Sequence, residues 1–343
     1  MPTAGTADLQ ALHPGLATSI GSLPHLDAGE ATAAVLRLHP DLPAAPQLPR
    51  RSPAESMLAQ VAVGVSGVDV RPDGSLVVDG HALDHLDPTV VRPPDLRRAQ
   101  FGGLRAFLRA VRGRVQPLKI QLTGPVTFGL ALVKAGVPAA RAFPVAEAAV
   151  GAHAAKLVRA VRAAAPEAPL LAFVDEPGLT ALATGGLPLS SDDTTDLLSG
   201  TLAVLEPDAI TGVHCCGPTD WRVVTQAGPG VLSLPAAPWV LESGGTIASF
   251  LEDGGWVAWG AVPTSGPVSR DSEHLWRRLL DLWCDLVRTG CNPVLLRTRA
   301  LITPACGLAG HGVSQAEQVL RLAVELGERA RGHAVAARLI AGA

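Results

Sequence analysis

The sequence predicts a (β/α)8 barrel on three observations. Short apolar runs of strand length recur along the 343 residues, helical segments separate most of them, and polar or metal-binding residue types follow the runs. The runs fall at 16–20, 44–48, 118–122, 170–174, 209–213, 231–234, 257–261 and 300–303. They show little polar alternation, as expected for parallel strands covered on both faces. Between them, 145–164 and Ser272–Arg288 read as helices. The first is Ala-rich and the second amphipathic.

One long excursion, about 50–116, follows the second run. It contains "VDVRPDGSLVVDG", two β-like stretches around Pro72-Asp73-Gly74, which reads as an inserted hairpin. A wall over the barrel mouth and a solvated decoration both fit it.

Composition agrees with one barrel domain spanning 1–343. At 48% hydrophobic and 17% charged residues the chain has material for a large core. A net charge of −3 gives no pull toward nucleic acid or anionic lipid. Aromatics at 3%, with no Tyr, remove the stacking platforms of single-strand binders. The most apolar stretch, "GPGVLSLPAAPWVL", is broken by Gly and Pro and falls short of the roughly 20 residues that span a bilayer. The start, "MPTAGTADLQALHPG", lacks the basic and apolar regions of a secretion signal. Five cysteines at uneven spacing argue against a disulfide framework and for a reducing cytoplasm.

In such a barrel the functional side chains follow the C-terminal ends of the strands. Those ends read "SIGSLP", "LTGPVT", "VDEP", "HCC" and "TPACGL". Along an extended strand, residues i and i+2 share a face, so His214 and Cys216 point together and Cys215 points away. Cys306 approaches from the last strand. One imidazole and two thiolates form a set suited to Zn²⁺. By spacing alone His-x-Cys is weak evidence for a metal and more often means a buried histidine beside buried thiols, which is the reading given to Cys215, Cys284 and Cys291.

Taken in order, the five motifs resemble the catalytic barrel of cobalamin-independent methionine synthases. That barrel belongs to a superfamily with uroporphyrinogen decarboxylase and the coenzyme M methyltransferases. The resemblance implies a cytoplasmic zinc methyltransferase of methionine biosynthesis, moving a methyl group to a thiol, homocysteine above all. It implies zinc on His214, Cys216 and Cys306, with Asp175 on the homocysteine amine. Ile20, Gly21 and Ser22 would hold its carboxylate, and Glu55 would be a second amine partner.

The chain departs from that pattern in two places. It has no room for a second, N-terminal barrel, which leaves methyl-folate and a methylcorrinoid protein as alternative donors. Pro235 stands where the family places a fourth zinc ligand, leaving Glu242, water or nothing for that role. Two other readings compete: a decarboxylase-like enzyme holding carboxylates with Arg50 and Arg51, and a non-catalytic zinc-binding or corrinoid-partner barrel.

Overall fold

Six of the eight predicted runs form one parallel sheet. The computed structural model describes residues 9–83, 85–269 and 271–341; the secretion-signal reading rests partly on residues 1–8, outside that range. The first two strands in chain order, β1 (Val68–Val70) and β2 (Leu76–Val78), make the hairpin predicted around Pro72-Asp73-Gly74, with Val68 opposite Val78. The parallel sheet follows: β3 (Leu118–Thr123), β4 (Leu170–Asp175), β5 (Ile210–His214), β6 (Val231–Pro235), β7 (Trp256–Val262) and β8 (Ala300–Pro304), neighbours in chain order throughout.

The other two predicted strands, 16–20 and 44–48, are not strands of the sheet, which corrects the count of eight. They are extended segments that touch it through isolated parallel bridges, Ala17 to Ile302 in β8 and Ala44 to Lys119 in β3. A third bridge, Ser22 to Gln47, joins the two segments to each other. Thr18 N donates to Ile302 O at 3.0 Å and Ala45 N to Lys119 O at 2.9 Å. Local chemistry explains why no ladder develops. Pro43, Pro46 and Pro49 remove backbone donors from the second segment. Gly15 and Gly21, at φ of 76° and 141°, bend the chain at both ends of the first.

Alternation along the strands gives the sheet two different faces. On one, Leu171 and Phe173, Ile210, Val231, Trp256 and Ala258, and Leu301 pack with Leu12, Leu16 and Leu42 into a cluster of their own. Gly212 makes room for it, since a Cβ there would lie 2.5 Å from the Phe173 ring. On the other face Ala172, Val174, Val213, Leu232, Val257 and Ile302 belong to the main core, which includes the helices.

The helix Ser272–Arg288 lies where predicted. It begins at Asp271, whose side chain accepts from Glu273 N, and buries Leu275, Trp276, Leu279, Leu282, Trp283 and Leu286. Those positions follow the three-to-four spacing of one helical face, and each buried Leu contributes about 1.5–3 kcal/mol. The Ala-rich helix runs Ala139–Ala164, starting earlier than expected because it continues through Pro144.

Two fully buried histidines belong to this helical layer. His39 Nε2 lies 3.1 Å from Leu320 O. His153 packs edge-on to Phe101, and neither of its ring nitrogens has a partner. Burial lowers both to about 4. Among the described residues, no helix is long and apolar enough to cross a membrane.

Candidate metal centre and cavity

The face that is apolar at the start of the strands becomes polar at their ends. Two residues beyond Phe173 stands Asp175, four beyond Ile210 stands His214, and two beyond Val231 and Leu301 stand Ser233 and Thr303. Asp175 is in register with His214, and His214 with Ser233. Parallel pairing thus aligns three polar side chains across adjacent strands.

His214, Cys216 and Cys306 each offer a donor atom within 4.8 Å of the others. His214 Nδ1 lies 3.0 Å from Ser233 Oγ, while Nε2 is buried without a hydrogen-bond partner. A ring fixed through one nitrogen, with the other held away from water, is how metal-binding histidines are oriented. The two thiols lie beside each other and perturb each other's protonation in opposite directions. Their mutual hydrogen bond is the first cause holding the Cys216 thiol below its ordinary range, and likewise the first cause pushing Cys306 up to about 12. A divalent cation would displace the thiol protons and pair with both sulfurs.

Around zinc, with sulfur at about 2.3 Å and nitrogen at about 2.0 Å, such donors stand roughly 3.5–3.8 Å apart. Shifts of about an ångström would suffice here, so the residues fit the ion. Cys215 is fully buried, donates to Gly217 O at 3.5 Å, and lies outside the donor group. Burial pushes its thiol up to about 12. Glu242 is exposed in the turn Pro238–Ser243 and is also outside the group. Cys291 is buried as expected, whereas Cys284 is exposed: it occupies the outer side of an amphipathic helix whose inner side is already filled by Trp and Leu.

A cavity of about 270 Å³ adjoins the donors. Ile20, Ser22, Glu55 and Asp175 line it together with all three donor residues. Gly21 does not line it; a Cβ there would lie 2.3 Å from the Gln121 side chain. Ser22 is braced to the last loop, where Leu308 N donates to Ser22 O at 2.8 Å and a Cβ on Gly307 would meet Ser22 Oγ at 2.0 Å. From the long excursion, Glu55, Ser56 and Met57 reach the cavity but the hairpin does not.

The carboxylates at the site differ in how far they are committed. Glu55 is paired with Arg51 at 2.7 Å and accepts from Gly103 N at 3.2 Å. Glu176 accepts from Val126 N, Thr127 N and Thr127 Oγ1 at 2.8, 2.7 and 2.5 Å. It thereby caps the helix Pro125–Lys134, whose N-cap residue, Gly124, has no side chain to do so. Burial is the first cause raising Glu176 to about 7. Asp175 is different: Oδ1 is buried and has no partner. Burial raises its pKa, opposed by the charge of Lys119.

Lys119 was not singled out from the sequence, although a lysine alternating with Gln121 and Thr123 in "LKIQLT" signals a polar inner face. Its ammonium donates to Ile20 O at 2.9 Å and Gln121 Oε1 at 3.1 Å, and lies 4.5 Å over the Phe173 ring. It does not line the cavity. Its fully buried charge ties the first segment to β3 and balances Asp175. Ser233, the partner of His214, was also missed; its place two residues from Val231 on the inner face was the available signal.

No family model and no curated protein matches this chain. Among solved structures it is similar to dihydrodipicolinate synthase from Agrobacterium tumefaciens str. C58, at 13% identity and a TM-score of 0.41, over 95% of this chain and 80% of that one. The expected membership of the methionine synthase family is corrected on this finding, which names a different enzyme. Thiol methylation, methionine biosynthesis, the decarboxylase reading and the non-catalytic barrel are withdrawn with it. At this identity and TM-score, the likeness carries no activity of its own to this chain.

Proposed function

We propose that the chain is a metal-dependent enzyme acting on a small molecule, built as one (β/α)8-type barrel domain over 1–343. In this reading the two bridging segments stand in the first two strand positions, and the excursion 50–116 is an insertion. The reading rests on one observation. An imidazole and two thiols converge at the ends of β5 and β8, beside a cavity lined by a buried carboxylate with a free oxygen.

His214, Cys216 and Cys306 would hold one zinc ion. One neutral imidazole and two thiolates would make the zinc site formally neutral, and the ion would supply Lewis-acid polarisation of a bound donor atom. The rest is the work of the chain. Ser233 holds the His214 ring so that Nε2 faces the donor group. Asp175 takes the substrate's cationic or proton-bearing group on Oδ1 and exchanges the proton there. Lys119, spent on backbone and amide oxygens, keeps Asp175 from being fully protonated. Ile20 and Ser22 fix the far end of the substrate. Glu55, neutralised by Arg51, shapes the wall. Five free cysteines suit a cytoplasmic, reducing setting.

The test is metal retention together with ligand binding. Purified protein should carry about one zinc per chain. Asp175→Asn should leave the metal in place while weakening amine-bearing ligands more than neutral ones of the same size, measured by calorimetry. Loss of metal on Asp175→Asn, or equal weakening of both ligands, would contradict the assignment.

A further inference from the structure

Cys216 and Cys306 line a second cavity as well. It has about 330 Å³ and shares with the first only these two residues; neither Asp175 nor His214 reaches it. The end of β6 and the loop after it contribute Pro235, Ala236 and Ala237, none with a polar side-chain atom. Gly260 keeps the wall thin: a Cβ there would lie 2.7 Å from Ala305 Cα and 3.0 Å from Pro235 Cα. The sulfur pair therefore stands between two chambers.

The second chamber is apolar along 235–237 and polar at Thr264, Ser265 and Arg278. Leu275 and Leu279 face it from the helix Ser272–Arg288, and Arg278, one helical position before Leu279, lines it with Thr264 and Ser265. Other arginines of that helix are engaged, Arg277 with Glu273 and Arg288 with Asp285. Arg278 forms no ion pair among the described residues. A guanidinium and two hydroxyls beside an apolar pocket suit a small anion with an apolar body.

We propose that this cavity is a second ligand chamber for a small carboxylate-bearing molecule. Arg278 holds the charged end, and the apolar end is carried toward the Cys216–Cys306 sulfurs from the side away from Asp175. The role extends the metal-enzyme reading by giving it a second reactant or product, but the chamber itself can be tested without the metal.

Phenylacetate is a suitable probe, having one carboxylate and an apolar body of fitting size. Calorimetry on metal-free and zinc-loaded protein should show binding in both forms. Arg278→Ala should weaken it by roughly fivefold with zinc content unchanged, and Arg278→Lys should retain part of it. Ala236→Phe should abolish it by filling the chamber, while Asp175→Asn should leave it as in wild type. Failure of phenylacetate to bind, equal binding to Arg278→Ala, or loss in Asp175→Asn would overturn the proposal. Phenylacetate binding by a protein that takes up no zinc would uphold the chamber and sink the metal reading alone.

Discussion

Each end of the same strand face bears a different kind of residue. At the N-terminal end, Leu171, Phe173, Ile210, Val231, Trp256 and Leu301 form a cluster of buried apolar side chains. At the C-terminal end, Asp175, His214 and Thr303 each retain a buried polar atom without a partner. Such atoms cost stability unless something binds them. The floor holds the sheet together, and the mouth keeps donors spare for a ligand. Substitutions at the two ends should accordingly change different observables.

The largest effect should come from the floor. Phe173→Ala removes a fully buried ring that packs against Gly212 and under Lys119. It should cost about 3–5 kcal/mol in urea unfolding, while the folded fraction still binds zinc. Metal loss without loss of stability would break the division between the two ends.

Next comes the helical layer, which lies outside this face and should respond to acid. His153 titrates near 4 when folded, against an ordinary value of 6.5. The unfolded chain therefore takes up its proton first as pH falls. The resulting stability is complete above about pH 6.5 and disappears as pH drops to about 4, a loss of about 3 kcal/mol. His153→Phe should flatten the stability profile across that window by this amount. His39, which burial also lowers to about 4, supplies the remaining loss in that window, and an unchanged profile in His153→Phe would show that His153 contributes none of it.

Smaller effects sharpen the description of the mouth. Ser233→Ala frees the His214 ring and should weaken zinc binding by about tenfold, measured by competition with a chelator. Cys215→Ser should cost about 1 kcal/mol and leave zinc bound, because the side chain points into the core. A weaker metal site in Cys215→Ser would contradict the alternation that turns Cys215 away.

That alternation is where the sequence was most informative. His214, Cys215 and Cys216 are adjacent, and a period of two separates them correctly. Apolar runs also located all six strands of the parallel sheet, because burial on both faces leaves no other composition. The first two segments were misread for a related reason. They are as apolar as strands, but their pairing is limited by prolines and by the bends at Gly15 and Gly21, which hydrophobicity does not register. Lys119 and the capping role of Glu176 were hidden differently: their partners, Ile20, Asp175 and the helix at Pro125, are distant in sequence or lie on the backbone. The family reading failed because short motifs at strand ends report a site's residue types, and similar residue types serve many reactions on barrel folds.

The central claim is that two sulfurs and one imidazole share a metal. X-ray absorption at the zinc edge tests it directly, on wild type and on Cys306→Ser and Cys215→Ser. Wild type should carry about one zinc per chain, with two sulfurs at about 2.3 Å and nitrogen at about 2.0 Å. Cys306→Ser should lose most of the metal, and Cys215→Ser should give an unchanged spectrum. A wild-type protein without zinc, a shell of oxygen and nitrogen only, or equal loss in both variants would contradict the claim.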